Sequence, residues 1–212
     1  MNASARLNTA LAACPLIAIL RGLHPGEAIC VGEALAGSGL KLIEVPLNSP
    51  QPLVSIEALA GGLPHVIVGA GTVLHAQQVR DVHAAGGRLV VAPNFDPQVV
   101  QEAGRLEMIC VPGVSTATEA FAALACGATA LKLFPAEMIP PAAVKALRAV
   151  LPDEVLLLPV GGIGTANLAS YRAAGASGFG VGSALYRPGM SAAEVKRNAL
   201  EFVAACAGSM RA

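Results

Sequence analysis

Tryptophan is absent from this 212-residue chain, and aromatic residues together make up only 3% of it. Hydrophobic residues nevertheless reach 54%, so the apolar surplus is carried by Ala, Val, Leu and Ile, a composition that suits helices packed around buried parallel strands. An excess of charge of either sign is missing as well. The 14 basic and 14 acidic residues cancel, and no basic run could neutralise a phosphate backbone, which excludes nucleic acid as an expected partner and leaves a neutral small molecule or a compact anion. No apolar run approaches the roughly 20 residues that span a bilayer, so no membrane partner is expected. Five scattered cysteines, Cys14, Cys30, Cys110, Cys126 and Cys206, show no CxxC or Cys/His spacing that would hold zinc and read as reduced core residues.

What the chain does have is a repeating pattern. Its opening, MNASARLNTALAACPLIAIL, superficially resembles a signal sequence but runs directly into Arg21 and Gly22; it reads as a short helix followed by a buried strand of a cytoplasmic protein. Eight apolar stretches follow one another: Leu16 to Gly22, Leu42 to Asn48, Val66 to Val73, Arg88 to Phe95, Glu107 to Val114, Ala128 to Pro135, Val155 to Ile163 and Gly178 to Tyr186. Between them lie Ala-rich segments of helical spacing such as PGEAICVGEALAGSG and TATEAFAALACG. Eight strand–helix units at a spacing of roughly 20 to 27 residues predict a (β/α)8 TIM barrel with an N-terminal helix, a single domain over residues 1–212, near the lower size limit of that architecture. The rival, an open doubly wound sheet, lacks a GxGxxG after the first strand.

In a parallel barrel, chemistry collects where the strands end. Lys132 stands amid Ala130, Leu131, Leu133 and Phe134 in the sixth stretch and is the sole lysine inside an apolar strand. Desolvation favours the neutral amine, the form that attacks a carbonyl, although a lysine that merely snorkels to solvent would give the same pattern. Glu44 is likewise isolated in LIEVPLN, where burial would raise its pKa toward the range useful for proton transfer. Arg21 closes the first stretch and can hold a carboxylate in two hydrogen bonds; the plainer reading is a salt bridge from Arg21 to Glu44. The seventh and eighth stretches end in VGGIGT and GVGSALY. Gly161, Gly162, Gly180 and Gly182 either make tight turns or let backbone N–H groups approach a phosphate, with Ser183 as a further donor and the following helix adding its dipole. Thr72 could contact a carboxylate or serve as an ordinary turn hydroxyl, and Asn48 and Ser49 either touch substrate or cap a helix. His24, His65, His75 and His83 have no ligand spacing, and the acidic residues do not cluster at strand ends, so no metal is expected.

The motifs IAILRG (Ile17 to Gly22), EVPLNSP (Glu44 to Pro50), GAGTVL (Gly69 to Leu74), KLFPA (Lys132 to Ala136) and VGGI (Val160 to Ile163) together closely resemble those of the 2-dehydro-3-deoxy-phosphogluconate and phosphogalactonate aldolases, over almost the whole chain. The resemblance implies a class I (Schiff-base) aldolase that yields pyruvate and glyceraldehyde 3-phosphate, a homotrimer, and no cofactor. It implies Lys132 as the Schiff-base lysine, Glu44 as general acid/base, Arg21 and Thr72 as carboxylate contacts, and the loops around Gly161, Gly162, Gly182 and Ser183 as the phosphate site. Gluconate enzymes typically carry Arg and Thr where this chain has Asn48 and Ser49, and Thr where it has Val160; at these positions the chain resembles the galactonate branch. Replacing a hydroxyl beside C4 with the apolar Val160 bears on which C4 epimer is oriented for cleavage. Activity on the gluconate epimer, dual specificity, a non-covalent sugar-phosphate enzyme and a sugar-phosphate sensor are the alternatives.

Overall fold

The structure is a computed structural model that describes residues 1–209. A helix, α1 (Ala3–Ala13), opens the chain, and its first turn is capped by the Asn2 side chain, which accepts the Ala5 N–H at 2.8 Å. Strands and helices then alternate: β1 (Leu16–Ile19), α2 (Pro25–Gly37), β2 (Leu42–Pro46), α3 (Pro52–Gly62), β3 (Ile67–Gly71), α4 (Ala76–Ala84), β4 (Leu89–Val91) and α5 (Pro97–Arg105). The second half contains β5 (Ile109–Val111), β6 (Gly113–Val114), α6 (Ala117–Ala125), β7 (Leu131–Leu133), α7 (Pro141–Arg148), β8 (Leu157–Pro159), α8 (Leu168–Ala173), β9 (Phe179–Val181) and α9 (Ala192–Ser209). A 3-10 turn at Ala136–Met138 intervenes between β7 and α7.

Local chemistry explains where the helices begin. Pro25, Pro52, Pro97 and Pro141 occupy first-turn positions, where a missing N–H costs nothing. Asp96 caps α5 by accepting from Gln98 and Val99, and Thr116 with Glu119 forms a reciprocal capping box on α6.

All strand pairings are parallel, in two sheets ordered β5-β4-β3-β2-β1-β9 and β6-β7-β8. The fifth apolar stretch therefore holds two short strands, not one. Pro112 separates them: it brings no N–H to a ladder, while its carbonyl still accepts the Lys132 N–H at 2.9 Å. At the other edge a single parallel bridge joins Val160 to Gly180. The result is a curled parallel sheet wrapped by helices.

Side chains alternate between two buried clusters, as the strand period of two requires. Ile43 and Val45 pack outward with the helices, in a large cluster that includes Val31, Leu35, Ile56 and Leu59. Ile17, Leu42, Leu89, Ile109, Ala130 and Leu158 form the inner cluster, which Leu7, Ala10 and Leu11 of α1 complete. These inner residues lie at or near the starts of their strands, so α1 plugs that end and leaves the ends where the strands finish free for polar groups. The cysteines divide between core and surface: Cys14, Cys110 and Cys206 are buried, but Cys30 on α2 is exposed, because it falls on the outer face of an amphipathic helix.

Candidate active site

Two residues beyond inner-facing Leu42 comes Glu44, and two beyond inner-facing Ala130 comes Lys132. The same alternation that buries the two apolar side chains therefore turns the glutamate and the lysine inward. Both are almost wholly removed from solvent, Glu44 at 2% exposure and Lys132 at 6%. They share a cavity of about 440 Å³ with Arg21, Val160, Gly161, Gly162, Gly182 and Ser183. With Gly180, nine of the twelve residues singled out from the sequence thus line one space; Thr72, Asn48 and Ser49 lie outside its wall.

Glu44 is held by backbone register, opposite Ile19 on one side and Gly69 on the other. One of its carboxylate oxygens, Oε2, is buried without a hydrogen-bond partner. Close packing against Gly71 explains how it fits: a Cβ at that position would come within 1.9 Å of Oε2. Burial raises the Glu44 carboxyl to about 7, against the opposing pull of Lys132 and Arg21. Burial also lowers the Lys132 ammonium, a shift that Glu44 resists and Arg21 assists. The Lys132 Nζ lies 4.3 Å from the centroid of the Phe134 ring, which shields one side of the amine. A carboxyl near neutrality beside an easily deprotonated amine can move protons while the amine adds to a carbonyl.

Arg21 is exposed at the mouth and donates to the Asn48 side-chain oxygen at 2.6 Å. The structure contains no Arg21–Glu44 salt bridge: the ion pairs among the described residues are Arg80–Glu102 and Arg105–Glu102, far along the chain. Buried Ser49 accepts the Gly22 N–H at 3.0 Å, so the end of β2 braces the loop that carries Arg21. Thr72 follows directly after Gly71 and has a left-handed backbone, φ 56°.

Gly161 and Gly162 also have positive φ, 106° and 60°, which L side chains adopt only under strain. The Asn167 side chain pins this loop by donating to the Gly162 carbonyl and accepting from the Gly164 N–H. α8 starts only at Leu168, so the expected helix dipole does not abut the paired glycines. After β9, the Leu185 and Tyr186 amides turn back onto the Gly182 carbonyl. Among the described residues no acceptor is engaged by the amides of Gly162, Ser183 or Ala184, and these are the donors an anion would meet. Ala184 was not singled out from the sequence, and neither was an acidic wall residue. Glu137 lines the same cavity, one position past the KLFPA motif, and its side chain packs against Gly161 and Gly162. No group of His, Cys, Asp and Glu among the described residues is arranged to hold a metal.

The family model described as KDPG and KHG aldolase matches residues 7–205. A protein of Rhizobium meliloti (strain 1021) named as a probable 2-dehydro-3-deoxy-6-phosphogalactonate aldolase is 49% identical over 192 residues, 90% of this chain and 91% of its own length. The solved structure titled native KDPGal superposes with a TM-score of 0.92 at 43% identity, covering 93% of this chain and 97% of that one. The KDPG aldolase of Legionella pneumophila, solved with pyruvate captured at low pH as a covalent carbinolamine intermediate, gives a TM-score of 0.80 at 28% identity over 95% of this chain and 96% of its own.

Proposed function

Because the chain belongs to the KDPG and KHG aldolase family, we propose that it cleaves 2-dehydro-3-deoxy-6-phosphogalactonate to pyruvate and glyceraldehyde 3-phosphate through an imine on Lys132. The observation that carries this reading is the buried Lys132–Glu44 pair facing the same cavity as the unengaged amides of Gly162 and Ser183.

The groups take their roles from position. Arg21 at the mouth holds the substrate carboxylate, with Thr72, at the end of β3 just outside the cavity wall, as the second contact to it, while Gly161, Gly162, Gly182 and Ser183 receive the phosphate. Fixing both ends of the substrate places its keto carbon near the amine. The neutral Lys132 Nζ adds to C2, and loss of water leaves a protonated imine. Glu44, as carboxylate, takes the C4 hydroxyl proton. The C4–O electrons form the aldehyde, the C3–C4 bond breaks, and its electron pair flows into the imine to give a neutral enamine. Glyceraldehyde 3-phosphate departs, the enamine is protonated at C3, and water hydrolyses the imine to release pyruvate and regenerate Lys132. The lysine is itself the electron sink, so these steps call on no metal or organic cofactor.

Val160 contributes a buried apolar wall to the cavity, which favours the galacto over the gluco configuration at C4. The wider proposals are that the two sheets and the Val160–Gly180 bridge close into one (β/α)8 domain, that three copies assemble, and that the enzyme is cytoplasmic. No helix among the described residues is long and apolar enough to cross a membrane. Pyruvate release from the two epimers, measured side by side with lactate dehydrogenase coupling, tests the reaction. A strong galacto preference is expected; comparable rates would remove the role given to Val160, and no release from either would overturn the assignment.

A further inference from the structure

The 3-10 turn that follows β7 is fastened at one residue from two directions. The Ala136 N–H donates to the Val160 carbonyl at 2.8 Å, and the Ala136 carbonyl accepts the buried Tyr171 hydroxyl at 2.8 Å. Glu137, next in the chain and exposed at the rim, is therefore carried on a backbone tied to the strand end that bears the paired glycines. Its Oε2 lies 2.3 Å from where a Cβ of Gly161 would stand, and its Cγ lies 2.8 Å from the same point on Gly162. Among the described residues none donates a hydrogen bond to Glu137 or forms an ion pair with it. Its charge is left facing the cavity. The ionisable groups in the wall are two bases, Arg21 and Lys132, and two acids, Glu44 and Glu137, so the cavity offers an arriving phosphate no surplus of positive charge.

We propose that Glu137 tunes phosphate binding: a fixed anionic rim group that opposes the phosphate at the Gly161–Gly162 loop, keeping that end of the substrate loosely held so that the phosphorylated aldehyde leaves readily. This rests on the placement of the phosphate given above. Backbone amides must then supply the attraction, while the carboxylate limits it. In a water-like medium the repulsion between one carboxylate and a nearby dianion is of the size that weakens binding about tenfold, and salt screens it because the site is open to solvent.

The test is competitive inhibition by inorganic phosphate in wild type, Glu137→Gln and Glu137→Ala, at low and at high ionic strength. Both variants are expected to bind phosphate about tenfold more tightly than wild type at low salt, with the advantage shrinking toward about twofold at high salt. A merely structural role would not follow ionic strength in this way. Wild type inhibited by phosphate with unchanged or weaker binding in the variants would overturn the role of Glu137 alone. Wild type not inhibited competitively at all would overturn the placement of the phosphate, and this inference with it.

Discussion

Gly71→Ala adds one methyl group, in a strand where alanine is conformationally acceptable, yet it strikes the proposed proton-transfer group directly. The new Cβ would stand 1.9 Å from one Glu44 carboxylate oxygen and 2.4 Å from the other. An ordinary contact needs about 3.4 Å, so something must retreat by about 1.5 Å. The backbone cannot supply that movement, because β2 and β3 are paired over five residues and the Leu47 N–H is bonded to the Gly71 carbonyl at 2.8 Å. The carboxylate therefore moves. A displacement of this size at a reacting group costs about 100-fold in rate, whereas the overpacking itself destabilises by about 1–3 kcal/mol. The assay is kcat for pyruvate release at saturating substrate, with thermal unfolding as the control and borohydride trapping of pyruvate as a separate measure of amine addition. The expectation is a folded variant with kcat lowered about 100-fold and trapping reduced far less. A folded Gly71→Ala enzyme with kcat within about twofold of wild type would refute the reasoning, because Glu44 would then have no fixed place in the reaction. Gly69→Ala is the contrast: its Cβ would meet the Leu89 carbonyl at 1.8 Å, a backbone atom, so loss of folding is expected instead.

Glu44→Gln should nearly abolish cleavage and change the pH dependence of stability. Burial raises this carboxyl above its unfolded value, so the stability it contributes is fully present below the ordinary carboxylate range and is lost as pH rises through about 7. The Tm of Glu44→Gln relative to wild type should therefore climb between about pH 5 and pH 8, and a constant difference would show that the carboxyl is not buried as described. Val160→Thr should move kcat/KM toward the gluconate epimer by about tenfold, read from the ratio of the two substrates; an unchanged ratio would place the discrimination elsewhere. Tyr171→Phe should cost about 1–2 kcal/mol in denaturant unfolding by removing the buried donor to Ala136, and no loss would mean the turn is fastened without it. Leu42→Ala, in the inner cluster, should cost about 2–5 kcal/mol.

Glu44 and Lys132 were legible in the sequence because an ionisable side chain at an inward position of an otherwise apolar strand breaks the local pattern. The structure buries both for the reason that made them visible. Arg21 and the paired glycines were legible from their places at the ends of apolar stretches. Thr72 had no such signal beyond its position: a hydroxyl at the end of a strand is common, and here it falls outside the cavity wall. The division of the fifth stretch into β5 and β6 was written in Pro112, which interrupts the ladder without interrupting the apolar run. Glu137 escaped notice because it stands in a turn, where an acidic residue is ordinary. Only the fastening of Ala136 to Val160 and Tyr171, contacts 24 and 35 residues apart in the chain, brings it against Gly161. The preference of Arg21 for Asn48 over Glu44 is equally a matter of three-dimensional reach, since both acceptors lie on the same short segment.

The covalent role of Lys132 is tested most directly by borohydride reduction in the presence of pyruvate, followed by peptide mass mapping, in wild type and Lys132→Ala. A reduced pyruvate adduct on the peptide containing Lys132, absent from a folded Lys132→Ala that no longer cleaves substrate, is the predicted result. An adduct on another lysine, no adduct in an active wild-type enzyme, or near-normal turnover by the alanine variant would contradict it.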